Sequence, residues 1–141
     1  MNNPVLEIET RIRRDFNGSP LEGACLDLFH FLIDTPIENL KHISFANLFK
    51  ITNESLDAND LVIVSSYMAG YIDFLKECFE FIDEDNNSYD LDVEDVQQAR
   101  LDGFLIHPES GDAIYQADAY IFIYFLPGNG LVRVKELIND K

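Results

Sequence analysis

Ten carboxylates crowd one stretch of the chain. Asp73, Glu77, Glu80, Asp83, Glu84, Asp85, Asp90, Asp92, Glu94 and Asp95 stand against Lys76 as the single base, and together they carry more than half of a formal net charge of −16. Carboxylates at this density can do three things. They can form a solvated face that repels other copies of the chain. They can meet a cationic protein surface, where charge steers encounter and fixes register. They can hold a hard cation through oxygen. The second possibility is the functional expectation, with Glu80, Asp83, Glu84, Asp85, Tyr89, Asp90, Asp92, Glu94 and Asp95 as the partner-binding set. Tyr89, with Phe79 or Phe81 if either is exposed, would supply the apolar anchors that charge alone lacks.

The cation reading rests on spacing. Asp83, Asp85, Asn87, Tyr89 and Glu94 fall at positions 1, 3, 5, 7 and 12 of an EF-hand-like loop, and Leu75–Phe81 resembles its entering helix. Ser88 stands where that loop needs glycine, Asp90 where it needs an apolar residue, and no second loop follows. Calcium binding therefore ranks third, and no metal or other cofactor is expected.

Other chemistry is sparse. His30 sits among apolar residues and reads as a half-buried structural histidine. His107 precedes Pro108-Glu109-Ser110-Gly111, where its ring would cap or pack. With His42 these are the only histidines, and none has a second ligand at metal-binding spacing. Gly128-Asn129-Gly130 is a turn, not a phosphate loop. No nucleophile signature occurs. The expectation is a non-enzyme.

The elements that must position these residues are punctuated clearly. Ser19-Pro20-Leu21-Glu22 reads as a capping box with proline at the first helical position, opening a helix to about Asp34 with Leu21, Cys25, Leu28 and Leu32 on one face. Thr35-Pro36-Ile37-Glu38 repeats the signal and predicts a second helix. Ser44-Phe45-Ala46-Asn47 opens a third. Asp57 caps a fourth, carrying Leu61, Val64, Tyr67 and Met68. The N-terminal segment fits helix and strand, and helix is preferred. After residue 75 the pattern changes. Phe79–Ile82, a polar turn at Asp83–Asn87 and an alternating Tyr89-Asp90-Leu91 predict a β-hairpin. Asp92–Asp95 caps a short helix, Val96 to Leu101, closed by Gly103. Phe104–Ile106 is a strand, and Pro108–Gly111 a turn. Tyr120–Leu126 is a strand apolar on both faces and so covered on both. The tail, with Leu131, Val134, Leu137 and Ile138, suits either helix or strand.

The fold class is α+β: a helical N-terminal half, then a β-hairpin, a short helix and a small antiparallel sheet. Over residues 20 to 115 this order resembles a winged helix-turn-helix arrangement. That resemblance would put the helix from Asp57 to about Gly70 in a DNA groove. The helix holds Asp57 and Asp60 but no Lys or Arg, and the wing would be Asp83-Glu84-Asp85. Phosphate repels such surfaces, so nucleic acid is not an expected direct partner. Arg11, Arg13 and Arg14 form the one basic cluster and read as a solvated face pairing with the protein's own acids.

The length of 141 residues fits one domain with a real core. Two cysteines, Cys25 and Cys78, read as reduced core thiols, with a single bridge as the alternative. There is no long apolar run, Met1–Glu7 lacks the character of a signal peptide, and the charge opposes an anionic membrane surface. The expectation is a cytoplasmic bacterial or phage protein. It would be an inhibitor, immunity or antitoxin-like module masking a basic, nucleic-acid-handling protein partner. The alternative is an accessory or regulatory subunit with a degenerate winged-helix fold.

Overall fold

The computed structural model describes residues 3–139. Element order is α1 (Pro4–Asp15), α2 (Leu21–Asp34), a 3-10 turn (Ile37–Asn39), α3 (Phe45–Ile51), α4 (Ala58–Gly70), β1 (Leu75–Ile82), β2 (Ser88–Leu91), α5 (Val93–Asp102), β3 (Phe104–Ile106), β4 (Ala113–Tyr115), a second 3-10 turn (Ala117–Tyr120), β5 (Ile121–Pro127) and α6 (Asn129–Asn139). The fold is α+β. None of the described helices is long and apolar enough to cross a membrane. Internal contacts divide the described residues into two compact units, residues 3–76 with 125–139 and residues 77–124.

The first unit is helical. Asn3 accepts hydrogen bonds from the Val5 and Leu6 amides and so starts α1. Ser44 and Asn47 exchange the two bonds of a capping box at α3, and Asp57 accepts from the Asp60 amide at α4. The box read at Ser19 is incomplete: its hydroxyl accepts from Leu21, and the helix begins behind Pro20 without a side-chain cap. Thr35-Pro36 ends α2 as proline must, but the helix predicted after it is a single 3-10 turn. Leu40 and Ile43 follow Ile37 and are buried, but Ile43 exchanges both backbone hydrogen bonds with Phe125, and that extended pairing stops the helix after one turn. The carbonyls of Ile33 and Thr35 at the end of α2 are met by the ammonium of Lys135 at 2.9 and 2.6 Å, which ties α6 to α2. The core holds Ile12, Leu28, Phe29, Leu32, Leu40, Leu48, Met68, Phe74, Phe125 and Leu131.

His30 departs from expectation. It is exposed on α2 and faces Glu9 at 3.5 Å. Arg13 pairs with Glu9 and Arg14 with Asp15, as expected of a solvated basic face. Neither cysteine forms a disulfide; Cys25 is buried and Cys78 only half-buried. Burial pushes the Cys25 thiol up to about 12.

In the second unit β1 and β2 form the expected antiparallel hairpin. Its register sets Phe81 opposite Tyr89 and Glu80 opposite Asp90. The second pair juxtaposes like charges, an unfavourable cross-strand neighbour. Separate donors relieve it: the Ser88 hydroxyl bonds Glu80 at 2.9 Å and the Tyr124 hydroxyl bonds Asp90 at 3.0 Å. Asp92 and Asp95 make a capping box for α5, and Gly103 closes that helix with φ +80°. β3 and β4 form a second hairpin around Pro108–Gly111. Phe81, Ala99, Leu105 and Ala117 are the buried centre, with Tyr89, Leu91, Ile114 and Ile121 packed on it.

β5 lies beside β1 in the sheet order β2-β1-β5. The expectation that it would be covered on both faces fails at one residue. Phe125 is 1% exposed but Phe122 is 47% exposed. The tail after β5 is helical, and its glycines explain how α6 begins. Gly128 and Gly130 donate to the Phe74 and Asp73 carbonyls, and a Cβ on Gly128 would lie 2.3 Å from the Asp73 oxygen.

Candidate functional site

The hairpin turn and the Pro108–Gly111 turn meet through one side chain. In the first turn Asp83 accepts from the Asp85 and Asn87 amides, both at 2.9 Å, while its own amide donates to the Asn87 carbonyl. In the second turn Nδ1 of His107 accepts from the Glu109 and Ser110 amides, both at 3.1 Å. Its Nε2 lies 2.9 Å from Asp83 Oδ2. Since Nδ1 is an acceptor twice over, the network assigns the ring proton to Nε2, which donates to the carboxylate. The His107 hydrogen bond and the two turn amides hold Asp83 below its usual carboxylate range.

This Asp–His pair has the composition of a general base but not its availability. Both ring nitrogens are occupied, so no lone pair faces a substrate proton. The ring acts as a staple. Phe81 and Tyr89 present their rings to it edge to face, with centroids at 5.7 and 4.9 Å. Tyr89 in turn donates to Glu109 Oε2 at 2.7 Å, and this bond, with burial, pushes its phenol up to about 12.

Beside the staple is an open cavity of about 480 Å³. Phe81, Tyr89, Ile114 and Tyr120 give it apolar and aromatic walls. Asp83, Glu84, Asp85, Glu109 and Asp112 supply carboxylates, and no lysine or arginine lines it. Such a cavity suits a cationic group carried on an aliphatic stem, such as an arginine or lysine side chain. The stem packs on the aromatic rings, the charge meets the carboxylates, and the ring faces attract it further.

The expected partner-binding residues divide on this geometry. Asp83, Glu84, Asp85 and Tyr89 line the cavity; Glu80, Asp90, Asp92, Glu94 and Asp95 do not. Of the second group, Glu80 and Asp90 answer hydroxyls within the sheet, Asp92 and Asp95 cap α5, and Glu94 is exposed in the first turn of that helix. Phe79 and Phe81 are buried and cannot serve as exposed anchors. The EF-hand-like reading is corrected as well. Its entering helix is strand β1, the loop's ligand positions from Asp83 to Asn87 form a tight hairpin turn, and Tyr89 sits in β2.

His107 caps the Pro108–Gly111 turn as its place before that turn predicts, but its reach to Asp83, and the cavity residues Glu109, Ser110, Asp112, Ile114 and Tyr120, were not singled out as a site by sequence reasoning. The only signal was the placement of Glu109 and Asp112 around the Pro108–Gly111 turn. Their convergence on Asp83 spans more than twenty residues and leaves no periodic trace. Comparison with protein-family models, curated proteins and solved structures finds no match to the chain.

Proposed function

We propose that the chain is a non-enzymatic interaction module that binds a basic protein partner through the 77–124 unit, in the manner of an inhibitor masking a nucleic-acid-handling surface. The observation that carries this reading is the cavity itself: aromatic walls, no lysine or arginine, and five carboxylates, of which Asp83 and Glu109 are hydrogen-bonded to His107 and Tyr89 while Glu84, Asp85 and Asp112 are not. A nuclease groove or a DNA-binding face presents arginine and lysine at high density, and an acidic surface with a pocket for one such side chain is complementary to it. The pocket gives the position, and the surrounding charge gives the encounter rate.

The test uses an oligo-arginine peptide as probe, with affinity measured by calorimetry at low and physiological salt. One variant combines Glu84→Lys, Asp85→Lys and Asp112→Lys at the cavity. A control combines Glu7→Lys, Glu38→Lys and Glu136→Lys in the other unit and has the same net charge. Cavity reversal is expected to weaken binding at least about tenfold, or about 1.4 kcal/mol, and the control by much less. Equal losses in the two variants would reduce the effect to net charge and overturn the reading.

A further inference from the structure

The 3–76 and 125–139 unit presents a surface of opposite character. Along α4 and at its C-cap the residues Val62, Ile63 and Tyr71 are 52%, 48% and 76% exposed, with Ser66 and Tyr67 between them. These positions recur at one-turn spacing and form a stripe. The end of α1 runs alongside. Phe16 meets Tyr67 edge to face at 4.8 Å, Tyr67 donates to Asp15 at 2.7 Å, and Tyr71 stacks on Tyr67 at 5.5 Å. Between the helices lies a groove of about 840 Å³.

Its charged rim is the unusual part. In a chain with 26 acids and 10 bases, the rim holds Arg11 and Arg14 against Asp15 alone. That carboxylate is already engaged by the Tyr67 hydroxyl and by Arg14 Nε at 3.1 Å, and these bonds hold it below its usual range. The Arg14–Asp15 pair offsets one guanidinium, so the groove is apolar on its floor and carries one net positive charge on its edge. At physiological ionic strength the Debye length is about 8 Å, so the rim arginines act at contact range while more distant acids are screened.

We propose that this groove receives an amphipathic helical segment of a partner protein, apolar residues seated on Val62, Ile63 and Tyr71 and carboxylates facing Arg11 and Arg14. The mode is helix-in-groove recognition, with anchors at i, i+3, i+4 and i+7. Charge complementarity selects the sign of the occupant, and it is the reverse of the sign proposed for the cavity of the other unit. The two sites are therefore separable by probe as well as by mutation.

The experiment titrates isotope-labelled full-length chain with a synthetic amphipathic helical peptide, Leu and Phe at those spacings and Glu beside them, while amide shifts are followed by NMR. Two control peptides replace Glu by Lys or scramble the order. The expected result is saturable shifts at residues 11–16 and 62–71 with a Kd below about 1 mM. The Lys peptide should bind at least about tenfold more weakly, and Arg11→Glu with Arg14→Glu should reverse that preference. Val62→Ser, at an exposed position, should weaken binding while leaving the spectrum of the fold intact. Equal binding of the scrambled or the Lys peptide would overturn the proposal. So would concentration-dependent dimerisation of the chain alone that Val62→Ser abolishes, since the occupant would then be a second copy.

Discussion

Replacing His107 by phenylalanine isolates the staple from the packing around it. The new ring can keep its contacts with Phe81 and Tyr89, but it loses every nitrogen. Two turn amides, those of Glu109 and Ser110, lose their acceptor, and Asp83 loses its imidazole donor. A net contribution of about 0.5–1.5 kcal/mol per hydrogen bond makes the two amides together worth about 1–3 kcal/mol. With a urea m-value of about 2 kcal/mol/M, the midpoint should fall by roughly 0.5–1.5 M. The chain has no tryptophan, so tyrosine fluorescence and circular dichroism report the transition. Amide exchange at Glu109 and Ser110 should rise more than exchange in the helices of the other unit. The acid limb tests the same contact. Asp83 has its folded pKa lowered by His107 and the turn amides, so its contribution is present above the ordinary carboxylate range and is lost as pH falls through the folded value. His107→Phe should flatten that acid dependence. A midpoint shift below about 0.2 M with unchanged exchange at Glu109 and Ser110 would refute the staple, because bonds of that number cannot be silent if they hold the turn.

Three further outcomes follow from burial and hydrogen bonding. Phe125→Ala should cost about 3–5 kcal/mol and Phe122→Ala about 1 kcal/mol in denaturant unfolding, since one ring is fully buried and the other half-exposed. In alkaline titration followed by ultraviolet absorbance, Tyr89 and Tyr124 should ionise only near 12, Tyr89 through its bond to Glu109 and burial, Tyr124 through burial and its bond to Asp90. The stabilisation that accompanies each raised phenol is complete below the ordinary tyrosine range and lost as pH rises through the folded value; Tyr89→Phe should remove one late-ionising group from the curve. Cys25 should resist a thiol reagent in the native protein and react on unfolding, and fast native labelling would contradict its burial.

The division between what was legible in the sequence and what was not follows the range of the interactions. Helix starts at Ser44, Asp57 and Asp92, the stop at Gly103, and the hairpin around Asp83–Asn87 depend on residues a few positions apart, and each stands in the structure where the residue types put it. The excess of acid over base, and with it the expected sign of a partner, is composition alone. The failures have one cause. Thr35-Pro36-Ile37-Glu38 carries a helix-start signal, but Ile43 pairs its backbone with Phe125 far along the chain, which the start cannot report. Phe122 and Phe125 are the same residue on an equally apolar strand, and only the neighbours stacked on each face decide which ring is in water. The acidic run reads as one surface, yet Asp83 meets the His107 imidazole and Asp90 the Tyr124 hydroxyl, each from a distant segment that ties it into the fold. The cavity required His107 and Glu109 to reach Asp83 and Tyr89 across the unit. A carboxylate's charge belongs to its residue; whether that charge is used inside the fold or offered to a partner depends on which donors the tertiary structure brings within 3 Å of it.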